Sequence, residues 1–118
     1  MLGWWIGVTE LSPEEIDRAG REQFRAALLA TWEVGVSGIG WVEELVAAGK
    51  AEQLLHGGYP NRYTARAEHV LPLFAAGAVP GAGSGPFSRV IRAMESDPER
   101  IAACPADRLL TIQAWDLS

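Results

Sequence analysis

The chain has 118 residues, a length that suits one domain over residues 1–118, because two cores of half that size would each be marginally stable. Hydrophobic residues make up 48% of it and charged residues 21%, which is ordinary for a folded globular protein and argues against a disordered or membrane-spanning chain. The formal net charge is −5, so the surface would repel nucleic-acid phosphates, and we expect neither a nucleic-acid nor a membrane partner.

The N-terminal segment lacks the basic stretch and the small-residue cleavage site of a secretory signal, so we expect a cytosolic location. Cys104 is the only cysteine, which excludes an intramolecular disulfide and leaves any metal site dependent on other ligands. His69 has no histidine, aspartate or cysteine at ligand spacing. The sequence therefore predicts no metal site and no cofactor.

The apolar run at the start of the chain predicts a strand over residues 2–8. Trp4 and Trp5 are adjacent in it, and successive side chains of a strand point to opposite faces of a sheet. They cannot both face one core, so we expect a helix or a second subunit to cover at least one of them.

The segment SPEEID predicts the start of a long helix over residues 12–33. Ser12 is a typical N-cap, Pro13 suits the first helical position, and Glu15 can return a capping-box hydrogen bond. Apolar residues then recur at about 3.6-residue spacing, which extends the predicted helix to residue 33.

Two shorter helical pieces are predicted after residues 34–40, an uncharged stretch with three glycines that indicates a turn between helices. An apolar stripe beginning at Trp41 indicates a helix that Gly49 ends in the left-handed conformation. Residues 51–56 indicate one further helical turn, which stops at Gly57.

The stretch HGGYPNRYTAR, residues 56–66, predicts a turn followed by a strand over residues 62–66. Its glycines and its proline account for the chain reversal without any ligand. Alternation along the strand would divide its side chains between two faces: Arg62, Thr64 and Arg66 on one, Tyr63 and Ala65 on the other.

We predict a binding site made of the side chains in this stretch that the turn does not require: His56, Tyr59, Arg62, Tyr63 and Arg66. Its ligand would be a protein partner or a small anion, because arginine forms bidentate hydrogen bonds with carboxylates and phosphates. The simpler alternative is structural, with the arginines meeting some of the fifteen carboxylates and the tyrosines packed with their hydroxyls at the surface. On the binding interpretation, Arg62 would contribute to affinity and hardly to stability.

A glycine-rich loop, residues 77–86, is predicted between two helices. Residues 70–74 indicate a short helix before it, and residues 87–95 indicate a helix after it. The loop does not match a phosphate-binding P-loop, because Pro86 and Phe87 stand where Lys and Ser or Thr follow the last glycine of that motif.

Near the C-terminus, Asp97 and Pro98 indicate the start of another short helix, and residues 108–115 predict a closing strand. We expect this strand to pair with the first one, because the ends of a domain commonly lie close together. The predicted fold is α+β: a small mixed or antiparallel sheet with strands near 2–8, 62–66 and 108–115, packed by the long helix over 12–33 and several short helices.

No motif for nucleophilic or metal-dependent catalysis is present, so enzymatic activity is not the favoured interpretation. An acidic chain with five tryptophans is typical of a non-catalytic protein that binds a macromolecular partner, of the toxin-neutralising or accessory kind. The sequence does not decide between a monomer and a homodimer. The alternative is a small-ligand-binding protein or enzyme with a pocket between residues 56–66 and the glycine-rich loop 77–86.

Overall fold

The computed structural model describes residues 2–82 and 87–118, which form an α+β fold around a six-stranded sheet. The strands are β1 (Trp4–Thr9), β2 (Leu28–Val34), β3 (Ala51–Leu55), β4 (Asn61–Arg66), β5 (Val90–Ser96) and β6 (Leu109–Asp116). Their order is β3-β4-β6-β1-β2-β5, and every neighbouring pair is antiparallel. The three predicted strands are confirmed as β1, β4 and β6, and the first and last strands are neighbours as expected.

Five short α-helices occur in the described residues: α1 (Pro13–Arg18), α2 (Arg21–Ala26), α3 (Gly40–Ala47), α4 (Ala67–Val70) and α5 (Pro98–Ala103). A 3₁₀ helix precedes α3, and another continues α4 to Gly77. None of these helices is long and apolar enough to cross a membrane. Residues 83–86 of the predicted glycine-rich loop lie outside the described part of the chain.

The predicted start of the first helix is confirmed by a complete capping box. The Glu15 amide donates to Ser12 Oγ at 3.1 Å, and the Ser12 amide donates to Glu15 Oε1 at 3.0 Å. Asp97 likewise caps α5 by accepting from the Arg100 amide at 3.2 Å. Gly49, with φ of 75°, follows α3 as predicted.

The prediction of a single long helix over residues 12–33 is wrong. The helix ends at Arg18, resumes as α2 after Gly20, and gives way to β2 at Leu28. Glycine inside a helix costs about 1 kcal/mol relative to alanine, which favours a break there. In β2 the alternate residues Ala30, Trp32 and Val34 are buried, so this segment follows a period of two.

Two further helical predictions are also corrected to strands. Residues 51–55 of the segment 51–56 form β3, which pairs with β4, and residues 87–95 overlap β5, which pairs with β2. The β-branched Val90 and Ile91 favour this conformation, and β2 offers them an open edge for pairing. The uncharged turn at residues 34–40 consequently joins a strand to α3 and not one helix to another.

One face of the sheet, here the apolar face, is buried beneath α3, α4 and the 3₁₀ helix that continues α4. The Trp32 ring contacts Phe74 edge-on at a centroid distance of 5.6 Å and Trp41 at 6.1 Å. The Trp4 indole N–H donates to the Val36 carbonyl at 3.1 Å. The strand residues buried on this face are Trp4, Ile6, Val8, Ala30, Trp32, Val34, Tyr63, Ala65, Leu110, Ile112 and Ala114.

The opposite face, here the polar face, carries hydrogen-bonding side chains and is covered in part by α1 and α2. The Thr9 hydroxyl donates to the Ala27 carbonyl at 2.9 Å, and the Thr111 hydroxyl donates to the Leu11 carbonyl at 2.8 Å. These bonds hold the two ends of the helical segment against the sheet. The buried Thr9 and Thr111 hydroxyls are therefore satisfied by the backbone that covers them, whereas Thr31 Oγ1 on the same face has no partner among the described residues.

Both edge strands contain extra residues that interrupt regular pairing. In β3, Leu54 is additional, because Gln53 and Leu55 pair with consecutive residues of β4. In β5, Ile91 is additional, because Arg92 and Val90 pair with consecutive residues of β2. Such bulges twist an edge and discourage another strand from adding to it.

Candidate functional site

The structure does not bring the five predicted binding residues together. Tyr63 is buried on the apolar face, whereas Arg62 and Arg66 lie on the polar face, as the alternation of the strand predicted. His56 and Tyr59 belong to the exposed turn between β3 and β4. A binding role for this set stays a prediction, but its members cannot all contact one ligand from one side of the sheet.

Arg62 is only 8% exposed and connects the sheet to α1. Its Nε donates to Gln113 Oε1 at 3.1 Å, and its Nη2 donates to Asp17 Oδ1 at 3.1 Å. The Gln113 side chain is itself buried, so Arg62 supplies the partner that this amide needs. The geometry assigns Arg62 a structural contribution.

Tyr63 lies in the core near the acidic helix α3. Burial and, secondly, the negative charge of Glu43 raise the pKa of Tyr63 above its ordinary value. Its phenol is therefore neutral at physiological pH, and it packs as an apolar ring.

A row of side chains crosses the polar face beside the part that the helices cover. Trp115 of β6 pairs with Trp5 of β1, Trp5 pairs with Glu33 of β2, and Glu33 pairs with Arg92 of β5. Directly paired residues point to the same face, so these four side chains are neighbours across four strands. We call this row the tryptophan strip.

Trp5 anchors the strip to the covered half of the face. Its ring lies 6.4 Å from that of Phe24 in α2, measured between centroids. Gly7 leaves room for it, because a Cβ at that position would lie 2.6 Å from Trp5 Cη2. Trp5 is thus covered by a helix and Trp4 is buried in the core, which confirms that at least one of the two is covered.

Trp115 and Arg92, at the two ends of the strip, are open to solvent, whereas the Glu33 side chain is only 20% exposed. Trp115 is 39% exposed, and the Arg92 side chain, which pairs with Glu33 Oε2 at 3.4 Å, is 65% exposed. Tyr59, 62% exposed, lies in the turn next to the Trp115 end, where the Asp116 amide donates to the Gly58 carbonyl at 2.8 Å. The strip is therefore aromatic at one end and ionic at the other.

The sequence did not predict this strip, because two of its four residues come from segments interpreted as helix. The available signal was the alternation in LLATWEV, residues 28–34, where every second side chain from Ala30 is apolar. With that segment as a strand next to β1, Glu33 would have been placed beside one of the first two tryptophans.

The predicted pocket between residues 56–66 and the glycine-rich loop falls partly on residues outside the described chain. The cavity that Gly77 lines, about 370 Å³, has no wall from residues 56–66; its other walls are Leu71, Phe74, Met94, Ser96, Pro98, Ile101 and Ala102. Among residues 2–82 and 87–118, no group of three or more His, Cys, Asp or Glu side chains could hold a metal ion.

No protein-family model, curated protein or solved structure matches this chain. Function therefore has to be inferred from the chemistry and exposure of its own surface.

Proposed function

We propose that this chain is a non-catalytic protein that binds a protein partner through the tryptophan strip, in a toxin-neutralising or accessory role. The observation that carries the proposal is Trp115, a large aromatic side chain left open on a sheet face directly beside a second tryptophan. Tryptophan, tyrosine and arginine are the residue types that dominate binding energy at protein interfaces.

The surroundings of the strip support a protein interface more than a small-ligand site. The strip crosses four strands and forms an extended row, with Arg92 and Glu33 at one end and Tyr59 in the turn at the other. Interfaces of this kind have an aromatic centre and a charged rim. Binding would bury Trp115 and leave the ion pair at the rim.

The edges of the sheet are a less suitable place for a partner. Strand addition needs a regular row of unpaired backbone groups, and both β3 and β5 contain additional residues that break this row. A face-directed contact does not depend on that regularity. The bulges thus favour binding through the face of the sheet.

The net charge indicates the kind of partner. At −5 the chain attracts basic proteins and repels nucleic acids, and such attraction accelerates encounter at low ionic strength. We therefore propose a basic protein partner in the cytosol, with an affinity that falls as salt is added.

Photo-crosslinking from the position of Trp115 tests the proposal. A benzoyl-phenylalanine replaces Trp115 in one preparation and Leu73, an equally exposed apolar side chain carried by the 3₁₀ helix after α4, in a control. A protein captured only from position 115 is then purified and titrated calorimetrically against the unmodified chain, Trp115→Ala and Leu73→Ala.

We expect Trp115→Ala to weaken binding by at least about ten-fold, since residues that dominate an interface contribute about 2 kcal/mol or more and tryptophan is enriched among them, and Leu73→Ala to leave it unchanged. Both variants should keep the thermal unfolding midpoint of the parent within a few degrees. Equal affinities for parent and Trp115→Ala would overturn the proposal.

A further inference from the structure

A cavity of about 440 Å³ lies where the start of β3 meets the end of β4 and the helix α4, away from the tryptophan strip. We call it the Lys50 cavity. Its walls are Gly49, Lys50, Ala51, Glu52, Thr64, Ala65, Arg66, His69 and Leu109. Three basic side chains therefore line one concavity of an acidic protein.

Each basic side chain is available to a ligand. Lys50, the only lysine of the chain, is exposed and has no ion pair with a described residue. Arg66 has a loose contact, with its Nη1 3.8 Å from Glu68 Oε1. His69 Nε2 lies 3.5 Å from the same carboxylate oxygen. One carboxylate is thus shared between two basic groups, and neither contact has the short distance of a strong hydrogen bond.

The basic residues of the cavity suit a small oxygen-rich anion. Thr64, a largely buried residue with a polar side chain, is among the lining residues. Ammonium, guanidinium and hydroxyl groups around an open cavity can donate several hydrogen bonds to one oxyanion, and an arginine can do so in bidentate geometry.

Two carboxylates near the basic side chains repel an anion and lower the affinity of the cavity for it. Glu52 lines the cavity, and Glu68 competes for Arg66 and His69. A ligand anion has to displace Glu68 from Arg66 before it can engage the guanidinium fully. Binding of a bare inorganic ion is therefore weak, and removal of Glu68 strengthens it.

We propose that the Lys50 cavity binds an oxyanion, the phosphate or carboxylate group of a small molecule, between Lys50 and Arg66. Arg66 belongs to the binding set predicted from the sequence. Lys50 and His69 were not in that set, and its buried members Arg62 and Tyr63 do not line the cavity. This site is independent of the partner surface, because it shares no residue with the tryptophan strip.

The single lysine allows a direct test. Reductive methylation with ¹³C-formaldehyde keeps the charge of Lys50 and gives it one dimethylammonium NMR signal, separate from that of the N-terminal amine. Inorganic phosphate and acetate are titrated separately at constant ionic strength, with sodium chloride as the balancing salt. A saturable shift with either anion supports the site, and the more effective anion identifies the preferred group.

Substitutions that remove a positive or a negative charge, made at the cavity and at a distant position, distinguish binding in the cavity from a general effect of net charge. Arg66→Gln weakens binding about ten-fold through loss of its charge-assisted hydrogen bonds, whereas Arg21→Gln, an exposed arginine of α2, has no effect. Glu68→Gln tightens binding about three-fold, from relief of a competing surface ion pair, whereas Glu99→Gln, an exposed carboxylate of α5, does not.

The absence of a saturable shift with both anions would overturn the proposal. It would equally be overturned if Arg21→Gln weakened binding as much as Arg66→Gln, or if Glu99→Gln tightened it as much as Glu68→Gln. Trp115→Ala leaves anion binding unchanged, so failure of the partner proposal would not affect this result.

Discussion

The apolar face of the sheet is buried beneath α3, α4 and the 3₁₀ helix after α4, whereas α1 and α2 cover the polar face only in part. On the apolar face, rings such as Trp32 and Phe74 fill space against one another. On the polar face, Arg62 and the threonines hold the covering helices by hydrogen bonds. The first arrangement stabilises the domain, and the second leaves part of a sheet face open to solvent.

The difference has an energetic basis. Burial of a large apolar side chain stabilises a fold by roughly 1.5–3 kcal/mol, whereas a typical intramolecular hydrogen bond contributes about 0.5–1.5 kcal/mol net. A polar face can therefore be left partly uncovered at little cost. Substitutions on the two faces should separate these contributions.

The largest effect is expected for Trp32→Ala, which empties the centre of the apolar face. Trp32 is fully buried and contacts both Phe74 and Trp41, so its removal should cost about 3–5 kcal/mol, measured by urea unfolding. Trp32→Phe is the control: the Trp32 indole N–H has no acceptor among residues 2–82 and 87–118, so a phenyl ring should lose much less. A loss below 1 kcal/mol for Trp32→Ala would contradict this view of the apolar face.

A smaller but clear loss is expected for Arg62→Ala on the polar face. The substitution leaves the buried Gln113 amide oxygen and the Asp17 carboxylate without their donor, which should cost about 1–3 kcal/mol. The sequence alone suggested that Arg62 would hardly affect stability. Arg66→Ala, an exposed change on the same face of the same strand, should cost less than about 0.5 kcal/mol. Equal unfolding midpoints in the two variants would show that the connection from Arg62 to α1 is not stabilising.

Of the three stabilising interactions, the capping box of α1 is expected to contribute least. Ser12→Ala removes the hydroxyl that accepts from the Glu15 amide and should cost about 1 kcal/mol near neutral pH. The hydrogen bonds with the Ser12 backbone and side chain lower the pKa of Glu15 below its ordinary value of 4.5. A carboxyl with a lowered pKa stabilises the fold above its ordinary pKa and loses that contribution as the pH falls through the lowered value.

Because alanine at position 12 keeps the backbone N–H that is the largest cause of this shift, the pH test uses Glu15→Gln: the difference in unfolding free energy between parent and Glu15→Gln should be largest at neutral pH and should shrink as the pH falls below 4.5. Chemical denaturation at several pH values measures it. A difference in unfolding free energy that grows on acidification would mean that the ionised Glu15 does not stabilise the capping box.

Local signals sufficed for some elements of the fold and not for others. The start of α1 was predictable because Ser12 and Glu15 are three residues apart and their bonds are local. By contrast, residues 28–34 fit both a helical and a strand period, and their choice depends on pairing with β1 and β5. β5 pairs with that strand, so residues 87–95 had no predicted partner strand as long as residues 28–34 were interpreted as helix.

The candidate site shows the same limit. The alternation that places Arg62 and Arg66 on one face follows from the strand itself and was predicted correctly. The burial of Arg62 depends on Asp17, 45 positions earlier, and on Gln113, 51 positions later. No spacing in the sequence reveals such long-range partners. The tryptophan strip, whose members come from four strands, could not be predicted from spacing either.

Fluorine NMR of the chain labelled with 5-fluorotryptophan tests the central claim most directly, because each of the five tryptophans gives one signal. Signals are assigned by single Trp→Phe variants and recorded with a soluble paramagnetic chelate, with and without the captured partner. We predict that the chelate broadens Trp115 in the free protein but not Trp4 or Trp32, and that the partner protects Trp115. A Trp115 signal that stays equally accessible in the complex would contradict the assignment of the open sheet face to partner binding.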